Sequence, residues 1–306
     1  MSMADPESAT CDETLVRRLL TTQFPQWAQL PITPVPRPGV DNATFRLGGA
    51  LSVRLPRYER WAGQVEREHR WLPELAPHLP LPISQPLAKG EPGEGYPHPW
   101  SVYRWLDGER ATPQGLADPV EAARELAGFI AALRRIDAAD GPGPQWSNAF
   151  RGVPMGDERD SAATAARVLP KLAALRTSGP AAPGGPLDPD GATAVWEAAL
   201  AAPAWDRPPV WIHGDLAEGN LLTADGALSA VIDFGTLGVG DPAVDLLPAW
   251  TFLPAPARET FREALDTDDA TWARGRGWAL ATLLPEPGRP LSEDTRHRLA
   301  ELIADL

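Results

Sequence analysis

The stretch from Val210 to Leu246 constrains this chain more than any other part of it. An apolar run, Val210-Trp211-Ile212, delivers His213-Gly214-Asp215-Leu216-Ala217-Glu218-Gly219-Asn220, and Leu221-Leu222 follow. An aspartate with an asparagine five positions later is the spacing of a phosphoryl-transfer catalytic loop. That chemistry asks for one carboxylate beside the attacking hydroxyl, to orient it and take its proton. It also asks for a side-chain amide whose oxygen can reach Mg²⁺. Asp215 and Asn220 offer these two groups. A second apolar run, Val231-Ile232, ends on Asp233-Phe234-Gly235. A carboxylate there can chelate a Mg²⁺ that bridges phosphates, a hard oxygen for a hard cation. Asp225-Gly226 reads as a hairpin turn between the two segments, and pairing them brings Asn220 and Asp233 toward one metal.

Together with Gly240-Asp241-Pro242-Ala243-Val244-Asp245-Leu246, these segments resemble the three hallmark motifs of the aminoglycoside phosphotransferase family, relatives of the eukaryotic protein kinases. The resemblance implies an α+β, bilobal protein-kinase-like fold. A β-rich N-terminal lobe over residues 1–104 is expected to bind nucleotide, and a mostly helical C-terminal lobe over residues 105–306 to carry catalysis and the acceptor. It implies ATP or GTP in the cleft between them, Mg²⁺, and a small-molecule hydroxyl as acceptor. That acceptor is expected to be an aminoglycoside-type or other antibiotic, with a macrolide or a metabolite such as an amino alcohol or sugar as the alternative. Position by position, Asp215 matches the catalytic aspartate, and Asn220 and Asp233 match the metal ligands. Asp245 matches a buried aspartate that holds the catalytic loop by hydrogen bonds. His213 and Asp241 fall at structural supports of that loop, with no proton-transfer role for the histidine.

Upstream of these motifs, apolar spacing predicts a helix over 12–30 through Leu15, Leu19, Leu20, Phe24 and Trp27. A Pro-rich stretch, 31–39, breaks it. Phe45 and Leu47, then Gly48-Gly49, then Leu51, Val53 and Leu55 read as a hairpin. A helix over 61–76, a strand over 100–106 and an amphipathic helix over 118–138 follow. Residues 141–156 and 178–190 read as loops, 209–246 as two short strands, and 247–306 as helix with proline breaks.

Kinase-like folds place a lysine on the third strand to meet the α- and β-phosphates. Neither lysine here suits: Lys89 is expected in a loop and Lys171 in the helical part. Arg54 holds that strand position, and alternation turns it away from Leu51, Val53 and Leu55. Its partner should be a glutamate on the next helix. Glu66 and Glu68 lie about 200° apart around such a helix, so only one can face Arg54, and the resemblance favours Glu68. The turn from Gly39 to Phe45, with Asn42 and Thr44, is expected to cover the phosphates. The linker from Arg104 to Leu106 should meet the base.

The formal charge of -13 argues against nucleic acid, whose binding rests on Lys and Arg, and suits a cationic acceptor or plain solubility. No run of about 18 apolar residues predicts a membrane span. The acidic start lacks a secretory apolar core, and the single cysteine, Cys11, fits a reducing cytoplasm. The sequence leaves oligomeric state open. A protein kinase fits poorly, because five residues between Gly235 and Asp241 leave no room for an activation segment. A non-catalytic nucleotide-binding module fits poorly too, because Asp215, Asn220 and Asp233 are all present. Acceptor contacts are expected from the helical part, from Glu218 in the loop and from Asp157, Glu158 and Trp272; Trp146, Asp160, Arg274, Arg276 and Trp278 lie in the same stretches, where core packing is the commoner fate of a tryptophan.

Overall fold

A computed structural model describes residues 11–36, 39, 41–160, 162–177 and 187–306. Helix α1 (Glu13–Gln23) starts on Asp12, whose side chain accepts from the Leu15 N–H. It is shorter than its apolar spacing predicts. Pro25 disfavours helical backbone at Phe24, so the chain leaves the helix there and makes only a short 3-10 turn, Pro25–Trp27.

Five antiparallel strands follow: β1 (Ile32–Pro34), β2 (Asn42–Leu47), β3 (Leu51–Pro56), β4 (Pro86–Gly90) and β5 (Trp100–Arg104), in the order β1-β2-β3-β5-β4. The β2–β3 hairpin turns at Gly48-Gly49, and Thr44 pairs with Arg54 in its register. Val53 and Leu55 are buried in one apolar core with Leu15, Leu19 and Leu20 of α1. The Pro-rich stretch thus supplies an edge strand, β1, and Lys89 lies on β4 rather than in a loop. The strand expected over 100–106 stops at Arg104. Helix α2 (Glu59–Leu75) lies between β3 and β4 in sequence.

Beyond β5 come the two-residue strand β6 (Glu109–Arg110) and helices α3 (Pro119–Arg135), α4 (Ala165–Thr177) and α5 (Pro189–Ala201). Of the loop expected over 178–190, residues 178–186 lie outside the described residues, and Pro189 already opens α5. The motif region holds four strands where two are expected: β7 (Val210–Ile212), β8 (Leu221–Ala224), β9 (Ala227–Val231) and β10 (Gly238–Gly240). Asp225 and Gly226, both at positive φ, make the β8–β9 hairpin. Leu221 pairs with Val231, which brings Asn220 beside Ile232. β7 pairs with β10 instead. The other side of β10 is also taken, by Val239 N–H to the Pro142 carbonyl and Asp241 N–H to the Gly152 carbonyl, each at 2.9 Å.

Helices α6 (Pro248–Thr251), α7 (Ala255–Ala264), α8 (Asp269–Leu283) and α9 (Glu293–Ala304) complete the chain. α3, α5, α7 and α8 bury a second apolar core, with Trp196, Trp211, Trp250 and Phe261 among its largest members. The result is the α+β architecture expected, with its sheet in the first third and helices in the rest. Among the described residues no helix is long and apolar enough to cross a membrane.

Candidate active site

The catalytic loop is held from below by one buried carboxylate. Asp245 accepts the His213 N–H on Oδ2 and the Gly214 N–H on Oδ1, each at 2.8 Å. Gly214 has φ +83°, and a Cβ there would come within 2.8 Å of the Thr236 carbonyl oxygen, so the turn into Asp215 needs a glycine. Burial pushes the Asp245 carboxyl up, and the two N–H groups and nearby His213 and Arg134 offset only part of that. Asp241 is anchored separately. Arg274 donates to its Oδ2 from Nε at 2.8 Å and to its Oδ1 from Nη2 at 3.1 Å, and Asp241 also accepts the Ala243 N–H.

His213 uses both ring nitrogens inside the scaffold. Nε2 sits 3.1 Å from the Ile232 carbonyl oxygen, and Nδ1 accepts the Asp215 N–H at 3.2 Å. These partners assign the proton to Nε2. The ring packs on Phe234 at 4.5 Å between centroids.

Asn220 donates from Nδ2 to the Asp215 backbone oxygen at 2.8 Å and to its Oδ2 at 3.1 Å. Its amide nitrogen is committed, so Oδ1 is the atom with acceptor capacity. Burial raises the Asp215 carboxyl, against the opposing pull of His213 and Arg151. Asp233 has φ +64°, a left-handed conformation that is uncommon for a side-chain-bearing residue. Burial pushes its carboxyl up, but the Arg54 charge and hydrogen bond outweigh that and hold it below the ordinary carboxylate range. Among the described residues no group of three or more His, Cys, Asp or Glu is gathered for a metal. A set of one carboxylate and one amide oxygen is nonetheless what Mg²⁺ accepts when phosphates and water complete its shell, so Asp233 and Asn220 fit that ion.

Arg54 points into the same space. Its Nη2 donates to Asp233 Oδ1 at 2.7 Å, and its Nη1 lies 3.7 Å from Glu68 Oε1. Glu68 is fully buried and also accepts from the Tyr103 hydroxyl on Oε2. Burial raises its carboxyl, and Arg54 and Tyr103 offset part of the rise. Glu66 faces elsewhere, pairing with Lys89 at 2.6 Å.

Two expectations for the phosphate cover change. Asn42 and Thr44 lie on β2 rather than on a turn, and Val40 lies outside the described residues. The Asn42 amide is engaged with Gln64 of α2, accepting from Nε2 at 2.8 Å. Asp41, just before the strand, is pushed up to about 6 by burial and by the charges of Asp233 and Asp215, with Arg60 and Arg54 opposing. Arg104 is exposed and Leu106 half-buried beyond the end of β5.

The acceptor candidates divide. Glu218 lies in the loop, 3.6 Å from Arg298 of α9. Asp157 accepts from Arg159 at 2.8 Å, which lowers it to about 2, and Glu158 is exposed. Asp160 is buried against Arg151. Trp272 is not brought to the cleft: it is buried and packs on Trp250 at 4.5 Å. Arg274, Arg276 and Trp278 are buried as well, because α8 is enclosed by its neighbours, and Trp146 stands 64% exposed.

Sequence reasoning missed Arg67, Gln64 and Arg151. Arg67 donates to Ser147 Oγ at 2.8 Å, to the Ser147 carbonyl at 2.7 Å and to the Gly235 carbonyl. The i, i+3, i+4 spacing of Gln64, Arg67 and Glu68 places them on one helix face, a signal the sequence does carry. Arg151 donates to the Gly214 carbonyl at 2.9 Å, and nothing in its local sequence marks it.

Known proteins share this arrangement of elements. The profile of the Phosphotransferase enzyme family (APH) matches residues 32–278. No curated protein sequence matches the chain. Among solved structures, the GDP complex of wild-type aminoglycoside 2'-phosphotransferase-IIIa is 21% identical, with a TM-score of 0.66 over 96% of this chain and 98% of that one. The macrolide 2'-phosphotransferase MphH from Brachybacterium faecium is 23% identical, with a TM-score of 0.55 over 95% and 98%. The streptomycin-ATP-APH(2")-IIa ternary complex is 17% identical, with a TM-score of 0.56 over 89% and 90%. At these identities the likeness establishes the shared fold.

Proposed function

The chain belongs to the Phosphotransferase enzyme family (APH), and from that premise we propose that it moves the γ-phosphate of ATP or GTP onto a hydroxyl of a small antibiotic-type molecule. The observation that carries this reading is the Asp215–Asn220 pair. One loop presents a carboxylate and, bonded to it at 3.1 Å, an amide whose oxygen is left to act as a ligand. In this reading Asp215 orients the acceptor hydroxyl and receives its proton. Its raised carboxyl makes it a better proton acceptor than an ordinary aspartate. Asn220 and Asp233 would hold Mg²⁺, which when bound neutralises phosphate charge. Arg54 offers a planar guanidinium to the α- or β-phosphate and is steadied by Glu68. His213, Asp241 and Asp245 keep the loop in shape.

We place the lobe boundary at Arg104 and Trp105, with the base against the backbone from Arg104 to Leu106. Similar proteins bind GDP in one case and ATP in another, which supports a nucleoside triphosphate donor of either base. Similar proteins named for aminoglycosides and for macrolides support an antibiotic acceptor. An amino alcohol or sugar is the metabolite alternative.

The test is Asp215→Asn and Asp215→Ala, assayed with Mg²⁺, ATP or GTP and an acceptor panel. Turnover is expected to fall by about 10² to 10⁴, with nucleotide affinity by calorimetry nearly unchanged. Near-normal turnover in Asp215→Ala would sink the assignment.

A further inference from the structure

We infer that the acceptor carries at most one positive charge, because two guanidiniums anchored by main-chain oxygens, Arg298 and Arg151, already stand against Glu218 and Gly214 of the catalytic loop. This rests on the kinase reading above and narrows it. Glu218 follows Asp215 by three positions, so a cation drawn to the attacking hydroxyl's site would meet it early. Arg298 Nη2 lies 3.6 Å from its Oε2. At that distance, with Glu218 46% exposed, the pair itself is weak. The place of the positive charge does not depend on it. Arg298 donates from Nε to Asp294 at 2.7 Å and from Nη1 to the Thr251 carbonyl, and its side chain is 11% exposed. Such a guanidinium stays beside Glu218 with or without a ligand.

A second guanidinium stands against the loop at Gly214. Arg151 holds the Gly214 carbonyl at 2.9 Å and pairs with buried Asp160. Asp160 thus has an arginine, and Glu218 shares Arg298 with Asp294. A polyamine acceptor would have to displace these partners and lie against guanidinium groups fixed by main-chain oxygens. Like charges held together this way cost affinity and slow encounter. A polyhydroxyl compound with no charge, or with one amine, meets neither obstacle.

The experiment measures kcat/KM for three probes with Mg²⁺ and ATP or GTP: kanamycin as the polycation, a macrolide bearing one amino sugar, and an uncharged polyhydroxyl glycoside. For the wild type, kanamycin is expected to lie on the order of tenfold below the better of the other two. Arg298→Gln keeps an amide donor for the Thr251 carbonyl, and Arg298→Ala removes it. In both, the ratio of kanamycin to macrolide kcat/KM is expected to rise about five- to tenfold, most at low salt. Glu218→Gln is expected to move that ratio the other way. A wild type that prefers kanamycin overturns the inference and leaves the kinase reading standing. So does a folded Arg298→Gln whose ratio does not move. Failure of the kinase reading looks different: no probe of any charge is phosphorylated and Mg-nucleotide does not bind.

Discussion

Arg54 joins Glu68 to Asp233: its Nη2 lies 2.7 Å from Asp233 Oδ1 and its Nη1 lies 3.7 Å from Glu68 Oε1. One guanidinium from β3 therefore serves a buried helix carboxylate and the carboxylate of the Asp-Phe-Gly turn at once.

Removing that guanidinium should hurt twice. Arg54→Ala leaves Glu68 buried without its cation, a loss of about 3 to 5 kcal/mol for a broken buried pair. In the proposed role it also takes a donor from the phosphates, so nucleotide affinity and turnover are expected to fall. Arg54→Lys should recover part of both, since a point charge lacks the fork. A double-mutant cycle with Glu68→Ala, read as kcat/KM, tests the pair. Strictly additive effects would remove the coupling.

Arg67 should act on the Asp-Phe-Gly turn from outside it. It ties α2 to Ser147 and to the Gly235 carbonyl, and burial lowers it to about 10. Arg67→Lys puts its donors on one nitrogen, without the Nη1–Nη2 fork that spans these acceptors. We expect a stability loss of about 1 to 3 kcal/mol by denaturation. We also expect a rise in nucleotide KM that exceeds any rise in acceptor KM. Equal effects on both KM values would mean that Arg67 supports the fold and not the turn.

Gly240→Ala should fail for lack of space. A Cβ there would lie 2.6 Å from Gly152 Cα and closer still to the Gly152 carbonyl oxygen. These are backbone atoms, which cannot rotate aside. A loss of about 1 to 3 kcal/mol or more is expected, with activity falling through Asp241 next door. Thermal denaturation that matches wild type would contradict this.

A pH effect on stability is expected from His69. Burial, and then the Lys89 charge, hold its imidazole below the ordinary 6.5, with Glu66 opposing and Ser101 Oγ at 3.0 Å. The unfolded chain therefore binds the proton more readily. Stability is full above 6.5 and is lost as pH falls from there through the folded value. The slope from one such group is at most about 1.4 kcal/mol per pH unit. His69→Gln should flatten it in part, because partial burial lowers His98 too. Denaturant melts across about pH 5 to 7.5 give the slope, and an unchanged slope in His69→Gln would reassign it.

Much of this was legible because the decisive signals are local. Alternation around the Gly48-Gly49 turn puts Val53 and Leu55 in the core and Arg54 on the opposite face. The Asp225-Gly226 dipeptide marks its own hairpin. What was illegible depends on partners far away in sequence. β1 and β4 are short edge strands whose composition, Pro-rich in one and bearing Lys89 in the other, reads as loop until the sheet pairs them. Arg67 finds Gly235 across 168 positions, and Arg151 finds Gly214 across 63. Trp272 reads as a candidate acceptor contact and is core, since a large apolar ring gains more from burial than from exposure.

The strand after the Asp-Phe-Gly turn has a bearing on what can dock here. β10 is paired with β7 along one edge, and along the other Pro142 accepts from the Val239 N–H, with Gly152 accepting from Asp241 just past the strand's end. A polypeptide that recognises a kinase by laying an extended segment against a free backbone edge needs open donors and acceptors to do so. This ribbon has spent one edge on β7 and the Val239 N–H of the other on Pro142. The one hydroxyl in the link from Gly235 to Asp241, that of Thr236, is itself turned inward, donating to the His213 carbonyl at 2.9 Å. A partner strand that sought this place would first have to strip β10 from β7.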